Sequence, residues 1–332
     1  MNSLCLSITN LSIRFHTYDG IAAVVDDISL HLQKGESVGL VGETGCGKSV
    51  TLKAVLGILS APPALPPSGK IVFQGRELTQ LSRRARRELM GKEIAMIPQN
   101  AMTSLNPTLK IKDQFADLLI SHRYSDMSLV SYYLTRRQRV KELTPKVEAA
   151  LNDVALPSID RVMNSYPFEL SGGMKQRVLI GMALADNPSL VLADEPGTAL
   201  DVTTNGVILD LMRKKVEERG ISIIYVTHNL AVARENTQRI YVMYAGQIAE
   251  TGPSETIFAH PKHPYTAGLI RSLPRLTGGE PVGIEGSVSN YYTPPPGCRF
   301  WPRCQDVMDK CKEEKPSPRQ VDGHDVSCHL YG

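Results

Sequence analysis

The fold is decided by the stretch Gly42-Glu43-Thr44-Gly45-Cys46-Gly47-Lys48-Ser49, which matches the phosphate-binding pattern G-x-x-x-x-G-K-[ST]. Its glycines allow the backbone to curl so that successive N–H groups point at phosphates. Lys48 can then reach the β- and γ-phosphates, and Ser49 can offer its hydroxyl to Mg²⁺. An apolar run at 37–41 precedes the loop, and apolar residues at helical spacing follow it at 50–57. The order strand, loop, helix predicts a nucleotide-binding α/β core.

Three further apolar runs end in polar side chains. Asp194 and Glu195 follow one run, His228 follows a later one, and Gln99 closes an earlier one. Because ligands bind at the carboxyl ends of buried parallel strands, we expect Asp194 to hold Mg²⁺ through water. Glu195 is expected to orient or deprotonate the attacking water, and His228 to contact the γ-phosphate. The alternative for the two acids is a cap on the next helix.

A second anion-binding helix start is predicted at Leu170-Ser171-Gly172-Gly173. Ser171 can cap the helix that begins there, and the N–H groups of a helix start favour an anion. The chain carries one phosphate loop. Two chains would therefore have to meet if each loop is to face such a helix start.

Together these motifs resemble the ATP-binding cassette (ABC) family over residues 10–250. The resemblance implies an α/β fold with a P-loop core, in which a RecA-like parallel sheet is joined by an antiparallel β subdomain and a helical subdomain. It also implies a head-to-tail dimer, with Lys48 and Ser49 of one subunit facing the 171–173 segment of the other across ATP. Adenine is expected to stack on Phe15, with Tyr18 as the alternative, although either ring could be part of the core instead.

The resemblance also assigns roles to the residues of the site. The catalytic residues that it implies are Glu195, His228 and Gln99. The implied ligands of Mg²⁺ are Ser49, Gln99 and Asp194. The residues expected to contact ATP are Phe15, Gly42, Glu43, Thr44, Gly45, Cys46, Gly47, Lys48, Ser49, Val50, Ser171, Gly172, Gly173, Asp194 and Asp201.

Four more segments resemble the ATPase subunits of dipeptide and oligopeptide permeases, a build that nickel and metallophore importers share. These segments are Met102–Pro107, Tyr166–Gly173, His263–Thr266 and Gly297–Cys304. The resemblance implies an ATPase that powers an importer of di- or oligopeptides or related small solutes, with nickel or metallophores as the alternative cargo. The partners it implies are a second ABC ATPase in a heterodimer rather than a homodimer, two transmembrane permease subunits and, indirectly, an extracytoplasmic solute-binding protein.

Charge and hydropathy indicate which other classes of protein do not fit the sequence. The net charge of +3 indicates no nucleic-acid partner, and no run of 18 apolar residues is present. The N-terminus lacks a cleavable signal, so we expect peripheral attachment through partners to the cytoplasmic face of the inner membrane. The alternative of a different class is a soluble iron–sulfur ABC ATPase or an iron or redox sensor. The soluble ATPase predicts a basic stripe, a coiled coil or two cassettes, and the sequence carries none of them.

The chain is expected to divide at residue 252. Residues 1–252 would form the ATPase domain, with a helical subdomain at about 101–175 that includes a solvated insertion at Ser121–Arg139. Residues 253–332 would form a small, irregular C-terminal extension, because half of the 22 prolines fall in these last 80 residues. We refer to residues 253–332 as the extension, and we expect it to need an added source of order.

Four of the six cysteines lie in the extension, as Cys298, Cys304, Cys311 and Cys328. Disulfides are disfavoured in a cytosolic chain, so four thiols in a short proline-rich segment predict a metal site. Zinc, an iron–sulfur cluster or no metal are the alternatives, and the resemblance to peptide-permease ATPases favours a [4Fe–4S] cluster. We expect ATP binding to survive loss of the cluster, because none of the predicted phosphate-site residues comes from the extension.

Overall fold

The computed structural model describes residues 3–124, 128–197, 201–273 and 283–332. The chain divides into two compact units, of which the first comprises Met1–Gln80 with Ile224–Gly332 and the second Leu81–Ile223. The first unit therefore contains both the phosphate loop and the extension. Among the described residues, none of the helices combines the length and the apolar character that a membrane span needs.

The elements are numbered in chain order. The strands are β1 (Leu4–Thr17), β2 (Gly20–Gln33), β3 (Ser37–Val41), β4 (Ser68–Phe73), β5 (Arg76–Glu77), β6 (Ile94–Ile97), β7 (Leu190–Asp194), β8 (Ser222–Thr227), β9 (Arg239–Tyr244), β10 (Gln247–Pro253), β11 (Arg319–Val321) and β12 (His324–Val326). The helices are α1 (Lys48–Leu56), α2 (Arg83–Leu89), α3 (Ala101–Ser104), α4 (Ile111–Arg123), α5 (Leu129–Asp153), α6 (Ile159–Asn164), α7 (Gly172–Leu184), α8 (Val202–Arg219), α9 (Leu230–Asn236), α10 (Ser254–Ala259), α11 (Pro264–Arg271) and α12 (Lys310–Glu313).

An antiparallel sheet forms one part of the first unit, with the strand order β2-β1-β4-β5. Leu6 of β1 lies opposite Leu32 of β2 on one side and Phe73 of β4 on the other, and all three side chains are buried. Apolar residues alternate with exposed ones along β1, as expected of a sheet with one covered face. The predicted antiparallel strands near the N-terminus are confirmed.

A second sheet of the first unit presents the phosphate loop. Strand β3 pairs in parallel with β9, with Val38 opposite Arg239 and Val41 opposite Val242. The continuous apolar run of β3 is buried from Val38 to Val41, which suits a strand that is covered on both faces. Strand β10 pairs antiparallel with β9, and β12 pairs antiparallel with β10. The sheet thus reaches from the strand before the loop into the extension.

The second unit is helical apart from β6 and β7, which pair in parallel with Ile97 opposite Ala193. Its helices α3 to α6 fall within the predicted helical subdomain. The Asp186 carboxylate accepts hydrogen bonds from Lys146 and, over 2.7 Å, from His122, and so ties α4 and α5 to the residues after α7. The boundaries predicted at residues 252, 101 and 175 remain predictions.

The segment predicted as a solvated insertion, Ser121–Arg139, is mostly helical. It contains the end of α4 and the start of α5, while 125–127 lie outside the described residues. Arg136 donates two hydrogen bonds of 2.8 Å to Asp117 of α4, and the Arg139 guanidinium lies 3.5 Å from the centre of the Tyr124 ring. Tyr133 and Arg137 are exposed, so the segment is solvated on one face, while Arg136 and Arg139 contact α4 and the residue that follows it.

The extension is more regular than predicted. Helices α10 and α11 and strands β11 and β12 lie within it. Pro264 opens α11 at a position where a helix tolerates proline, and Pro294–Pro296 lie in a loop. Tyr265 and Phe300 of the extension join a buried core with Val41, Val242 and other residues of the sheet. The extension therefore packs against the sheet, and its need for an added source of order stays a prediction.

Candidate functional site

The phosphate loop curls around the ammonium group of Lys48. Lys48 Nζ donates to the backbone carbonyl oxygens of Gly42 at 2.8 Å and Glu43 at 2.9 Å. The side chain is 4% exposed, so its charge is held inside the loop rather than in water. Ser49 follows it in the first turn of α1 and is half-buried. The arrangement places one cation and the start of a helix where an anion can bind both.

Two glycines are required by the conformation of this loop. Gly42 and Gly47 have φ angles of 154° and 108°, which disfavour any residue with a side chain. A Cβ atom on Gly42 would overlap the carbonyl oxygen of Met243, and one on Gly47 would lie 2.9 Å from that of Val24. The loop thus passes against backbone on both sides. This close approach explains the glycines of the pattern.

Cys46 lies on the inner side of the loop and is 1% exposed. Burial raises the pKa of its thiol, which the positive charge of Lys48 opposes. Its Sγ atom lies 3.6 Å from Lys48 Nζ. We infer that Cys46 is a small packed side chain and not a reactive thiol.

The other predicted residues of the first unit lie near the strand ends or in the first hairpin. His228 directly follows β8, a neighbour of β3 in the sheet, and is exposed. Phe15 is half-buried on β1 opposite Ala22, whereas Tyr18 is fully exposed in the turn between β1 and β2. Thr44 and Gly45 are exposed at the tip of the phosphate loop, and Val50 is half-buried in α1.

In the second unit, the structure brings two predicted catalytic residues into contact. Gln99 Nε2 donates to Glu195 Oε2 at 3.0 Å. The contact follows from the sheet, because β6 and β7 are parallel neighbours and the residues after them lie at the same edge. Asp194, the last residue of β7, is 4% exposed. Since Gln99 uses its amide nitrogen in this bond, its amide oxygen is the atom left for a cation.

Ser171 and Asp201 both cap helices in the second unit, of which only the Ser171 cap was predicted. Ser171 caps α7 by accepting a hydrogen bond from the Met174 N–H at 3.3 Å, so the predicted helix start is confirmed. Gly172 and Gly173 form its first turn. Asp201 caps α8 by accepting from the Thr204 N–H at 2.9 Å, and this bond lowers the pKa of Asp201. Ala199, which precedes it in the sequence motif, lies outside the described residues.

Residues of the extension contact the phosphate loop directly, which the sequence analysis missed. Arg303 donates from Nη1 to Glu43 Oε2 at 2.7 Å and from Nη2 to Glu43 Oε1 at 2.9 Å. The Glu43 N–H donates to the Tyr265 hydroxyl at 3.0 Å. The Tyr291 hydroxyl donates to the Gly45 carbonyl oxygen at 2.9 Å. The extension thus contacts the phosphate loop, while the expectation that ATP binding survives loss of the cluster stays a prediction.

A cluster of aromatic rings supports these contacts. The rings of Tyr244, Tyr265 and Phe300 pack against one another with centroids 4.6 to 5.3 Å apart. Burial raises the pKa of the Tyr265 and Tyr291 hydroxyls, so both remain protonated hydrogen-bonding groups. Tyr265 and Arg303 lie in two of the segments that carried the permease resemblance. Those segments were therefore the signal available in the sequence, although nothing in them indicated which contact they make.

The four cysteines of the extension are free thiols that lie near one another. Cys311 and Cys328 are buried, and Cys298 and Cys304 pack against the aromatic cluster. Burial, together with the negative charges of the other three cysteines as thiolates, raises the pKa of Cys298 to about 11. Across the described ranges, no three His, Cys, Asp or Glu side chains are arranged to hold a metal ion. A single zinc ion is thus not supported, and the iron–sulfur cluster stays a prediction.

Two family models match the chain in separate segments. The model described as ABC transporter matches residues 25–198. The model described as the C-terminal region of oligopeptide/dipeptide transporters matches residues 249–311, a range that includes Tyr265, Tyr291 and Arg303.

Curated relatives match nearly the whole chain. The dipeptide transport ATP-binding protein of Bacillus subtilis (strain 168) is 39% identical over 98% of this chain and 94% of its own length. The dipeptide transport ATP-binding protein of Escherichia coli (strain K12) is 39% identical over 98% and 96%. The oligopeptide transport ATP-binding protein of Bacillus subtilis (strain 168) is 40% identical over 98% and 88%.

Two solved structures have the same fold over three quarters of the chain. A bacterial ABC transporter cassette, solved as a dimer, has a TM-score of 0.62 and 27% identity, and covers 75% of this chain and 98% of that one. A dimeric post-hydrolysis state with ADP and phosphate has a TM-score of 0.60 and 28% identity, with the same coverage. The predicted fold class, a P-loop cassette with antiparallel and helical parts, is confirmed.

Proposed function

Because this chain belongs to the ABC transporter family, whose members hydrolyse ATP, we propose that it is the energy-coupling ATPase subunit of a membrane importer for di- or oligopeptides or related small solutes. The observation that carries the proposal is the full-length similarity to dipeptide and oligopeptide transport ATP-binding proteins. The match of the extension to the C-terminal region of such transporters supports it independently. The alternatives, a metallophore importer and a soluble or sensing ATPase, have no observation that favours them.

The phosphate loop is the proposed site of the β- and γ-phosphates. Lys48 supplies the buried cation, and the start of α1 supplies N–H groups, since its preceding residue Gly47 has no side chain to bond them. Phe15 or Tyr18 would stack on adenine. Hydroxyl, carboxylate and amide oxygens are the ligand types that Mg²⁺ prefers, so Ser49, Asp194 and Gln99 fit this ion. When bound, Mg²⁺ would neutralise charge on the phosphates.

Glu195 is the proposed general base. Its carboxylate accepts a hydrogen bond from Gln99, which fixes the direction of a group that could take a proton from water. His228 would contact the γ-phosphate. We infer that Ser171, Gly172 and Gly173 complete the site of a partner subunit, and that Asp201 lies at that dimer boundary. The solved dimeric cassettes support this arrangement.

The proposed assembly has four subunits at the membrane. This chain would pair with a second ABC ATPase, in a heterodimer, and both would dock on two transmembrane permease subunits at the cytoplasmic face of the inner membrane. An extracytoplasmic binding protein would deliver the solute, and no nucleic acid is involved. ATP favours the closed pair and hydrolysis releases it, so transport follows from the different affinity of ATP for the two states. Residues 1–252 would form the ATPase domain, with the helical subdomain at about 101–175, and 253–332 the extension.

Uptake assays test the proposed function. Cells that lack the chain should lose uptake of a radiolabelled dipeptide and keep uptake of radiolabelled nickel. Wild-type protein and K53A, a change at an exposed lysine of the same helix, should restore uptake, whereas K48A should not. The tagged chain, purified from solubilised membranes, should carry two membrane-spanning subunits with it. Loss of nickel uptake with intact dipeptide uptake would overturn the peptide assignment.

We also propose that the four thiols of the extension bind a [4Fe–4S] cluster. What supports the proposal is the donor set of four free cysteines from one short segment, of which Cys311 and Cys328 are buried and whose thiols interact with Cys298. Four thiolates are the ligands that such a cluster takes. The role is structural in this proposal, and no step of ATP hydrolysis passes through the cluster.

Metal analysis of anaerobically purified protein tests this cofactor. We expect a brown protein with about four irons and four sulfides per chain. Single Cys→Ser changes at Cys298, Cys304, Cys311 or Cys328 should each remove most of the iron, because one iron would lose its ligand. The matched controls C5S and C46S change buried cysteines outside the extension and should keep the iron. Stoichiometric zinc without iron would refute the cluster.

A further inference from the structure

We propose that the extension holds the phosphate loop in its nucleotide-binding conformation, with Arg303 as the positioning residue. The inference rests on the proposed function in one respect, namely that the loop binds the phosphates of a nucleotide. It goes beyond that function because it makes nucleotide affinity depend on a segment outside the motifs that touch nucleotide.

Several hydrogen bonds from the extension reach the centre of the phosphate loop. Within the loop, Glu43 is held at its carboxylate by Arg303 and at its N–H by Tyr265, and Gly45 is held at its carbonyl by Tyr291. These bonds reach side chain, N–H and carbonyl groups of residues between Gly42 and Gly47. A glycine-rich segment has more conformational freedom than others when it is not held, so bonds at its centre restrict it most.

Arg303 also balances the negative charge of Glu43 in the loop. Glu43 places a carboxylate in a loop whose role is to bind anions, and this charge would repel phosphate. Arg303 pairs with both carboxylate oxygens, and its side chain is 4% exposed against 27% for Glu43, so water screens the pair little. The arginine therefore neutralises the acid at the loop and fixes its direction by a two-point bond.

The guanidinium of Arg303 is itself held by other hydrogen bonds. Its Nε donates to the Glu285 carbonyl at 2.9 Å, and Nη2 donates to the Ile284 carbonyl at 3.0 Å. Its Nη1 lies 3.4 Å from the hydroxyl of Tyr244 in the aromatic cluster. Arg303 therefore links the loop to a rigid part of the extension and does not move freely with Glu43.

The extension also holds the strand that lies beside the loop. Arg299, which is 4% exposed, donates to Asp26 at 3.0 Å and to the carbonyl oxygen of Ala245. The Ala23 N–H donates to the Tyr291 carbonyl at 2.8 Å. A side chain on Gly47 would meet the carbonyl of Val24, so the loop packs against β2 at this point. The extension therefore also fixes the strand against which the loop packs.

Equilibrium binding of ADP to the full chain tests the inference. R303M should weaken ADP binding about tenfold, the effect of losing one charge-assisted bidentate bond at a partly buried site. The ADP affinity of R303K should lie between those of R303M and wild type, because lysine keeps the positive charge but cannot form the two-point hydrogen bond. The matched control is R319M, which changes an exposed arginine of the extension and should bind ADP like wild type. Equal affinity of R303M and R319M would overturn the proposal.

The acid end of the pair gives a second test. If Arg303 acts through Glu43, the double variant R303M/E43Q should bind ADP more tightly than R303M, because the unpaired carboxylate is gone. The effects of the single changes would then not add. Additive losses would show that the two residues act separately and would overturn the pair.

Hydrogen exchange separates positioning from unfolding. In R303M without nucleotide, amide exchange should rise at residues 43–46 and stay unchanged in α11 and β12. A rise throughout the extension would overturn the positioning role and leave Arg303 a stabiliser of the extension. If K48A still bound ADP like wild type, the proposed function of the loop would fail instead. This outcome is distinct from the failure of R303M.

Discussion

Replacing Lys48 by alanine is expected to weaken ATP binding by roughly 30- to 5000-fold, the equivalent of about 2–5 kcal/mol for the loss of one partner from a buried charge pair. The reason lies in the loop, where the Lys48 ammonium is buried and bonded to the carbonyls of Gly42 and Glu43. Without it, these carbonyls lose a donor and the phosphates lose their cation. Titration of the purified chain with a fluorescent ATP analogue measures the change.

The exposed Lys53 of the same helix provides the control, because K53A removes the same charge outside the loop. It should bind the analogue within a factor of about two of wild type, since a solvent-exposed charge contributes little. ATPase activity of the K48A protein at the wild-type rate, in complex with its membrane partners, would contradict the assignment of the loop.

Replacing Glu195 by glutamine should reduce ATP hydrolysis by about 10²- to 10⁴-fold, the usual contribution of a positioned general base. ATP affinity should change little, because glutamine has the same shape and its amide oxygen can still accept the bond from Gln99. Since ATP would bind without being consumed, the paired form should accumulate. Phosphate release measures the first effect, and size-exclusion chromatography with ATP measures the second.

E217Q makes the same chemical change at an exposed acid of α8 and should hydrolyse ATP like wild type. If E195Q also turned over at the wild-type rate, Glu195 would not be the base. If it failed to bind ATP, its role would be in holding the nucleotide.

The parts of the fold that the sequence predicted correctly share a local cause. Strand β3, the loop and α1 follow each other without a break, so apolar run, glycines and helical spacing predict all three. Ser171 could be read as a cap because a cap and its helix are neighbours in the chain. The parallel pairing of β6 and β7 then accounts for the contact of Gln99 with Glu195, which the carboxyl-end rule anticipated only as a shared edge.

The parts that were missed depend on contacts between distant residues. Arg303 and Glu43 are 260 positions apart, and no periodicity in the sequence records such a pair. The extension was predicted to be irregular from its proline content, which does not show where the prolines lie within its elements. Composition also predicts solvation for Ser121–Arg139, where Tyr133 is exposed, but it does not show which arginines contact a neighbouring helix.

The contact of Arg303 with Glu43 has a consequence for synthesis of the protein. The loop leaves the ribosome early, whereas the arginine that holds it is added 260 residues later. At bacterial and eukaryotic elongation rates this interval is roughly 10 to 50 seconds. During that time the nascent chain contains Lys48 and the loop glycines but lacks Arg303. Cellular nucleotide is therefore expected to bind the nascent chain about tenfold more weakly until the polypeptide is almost complete.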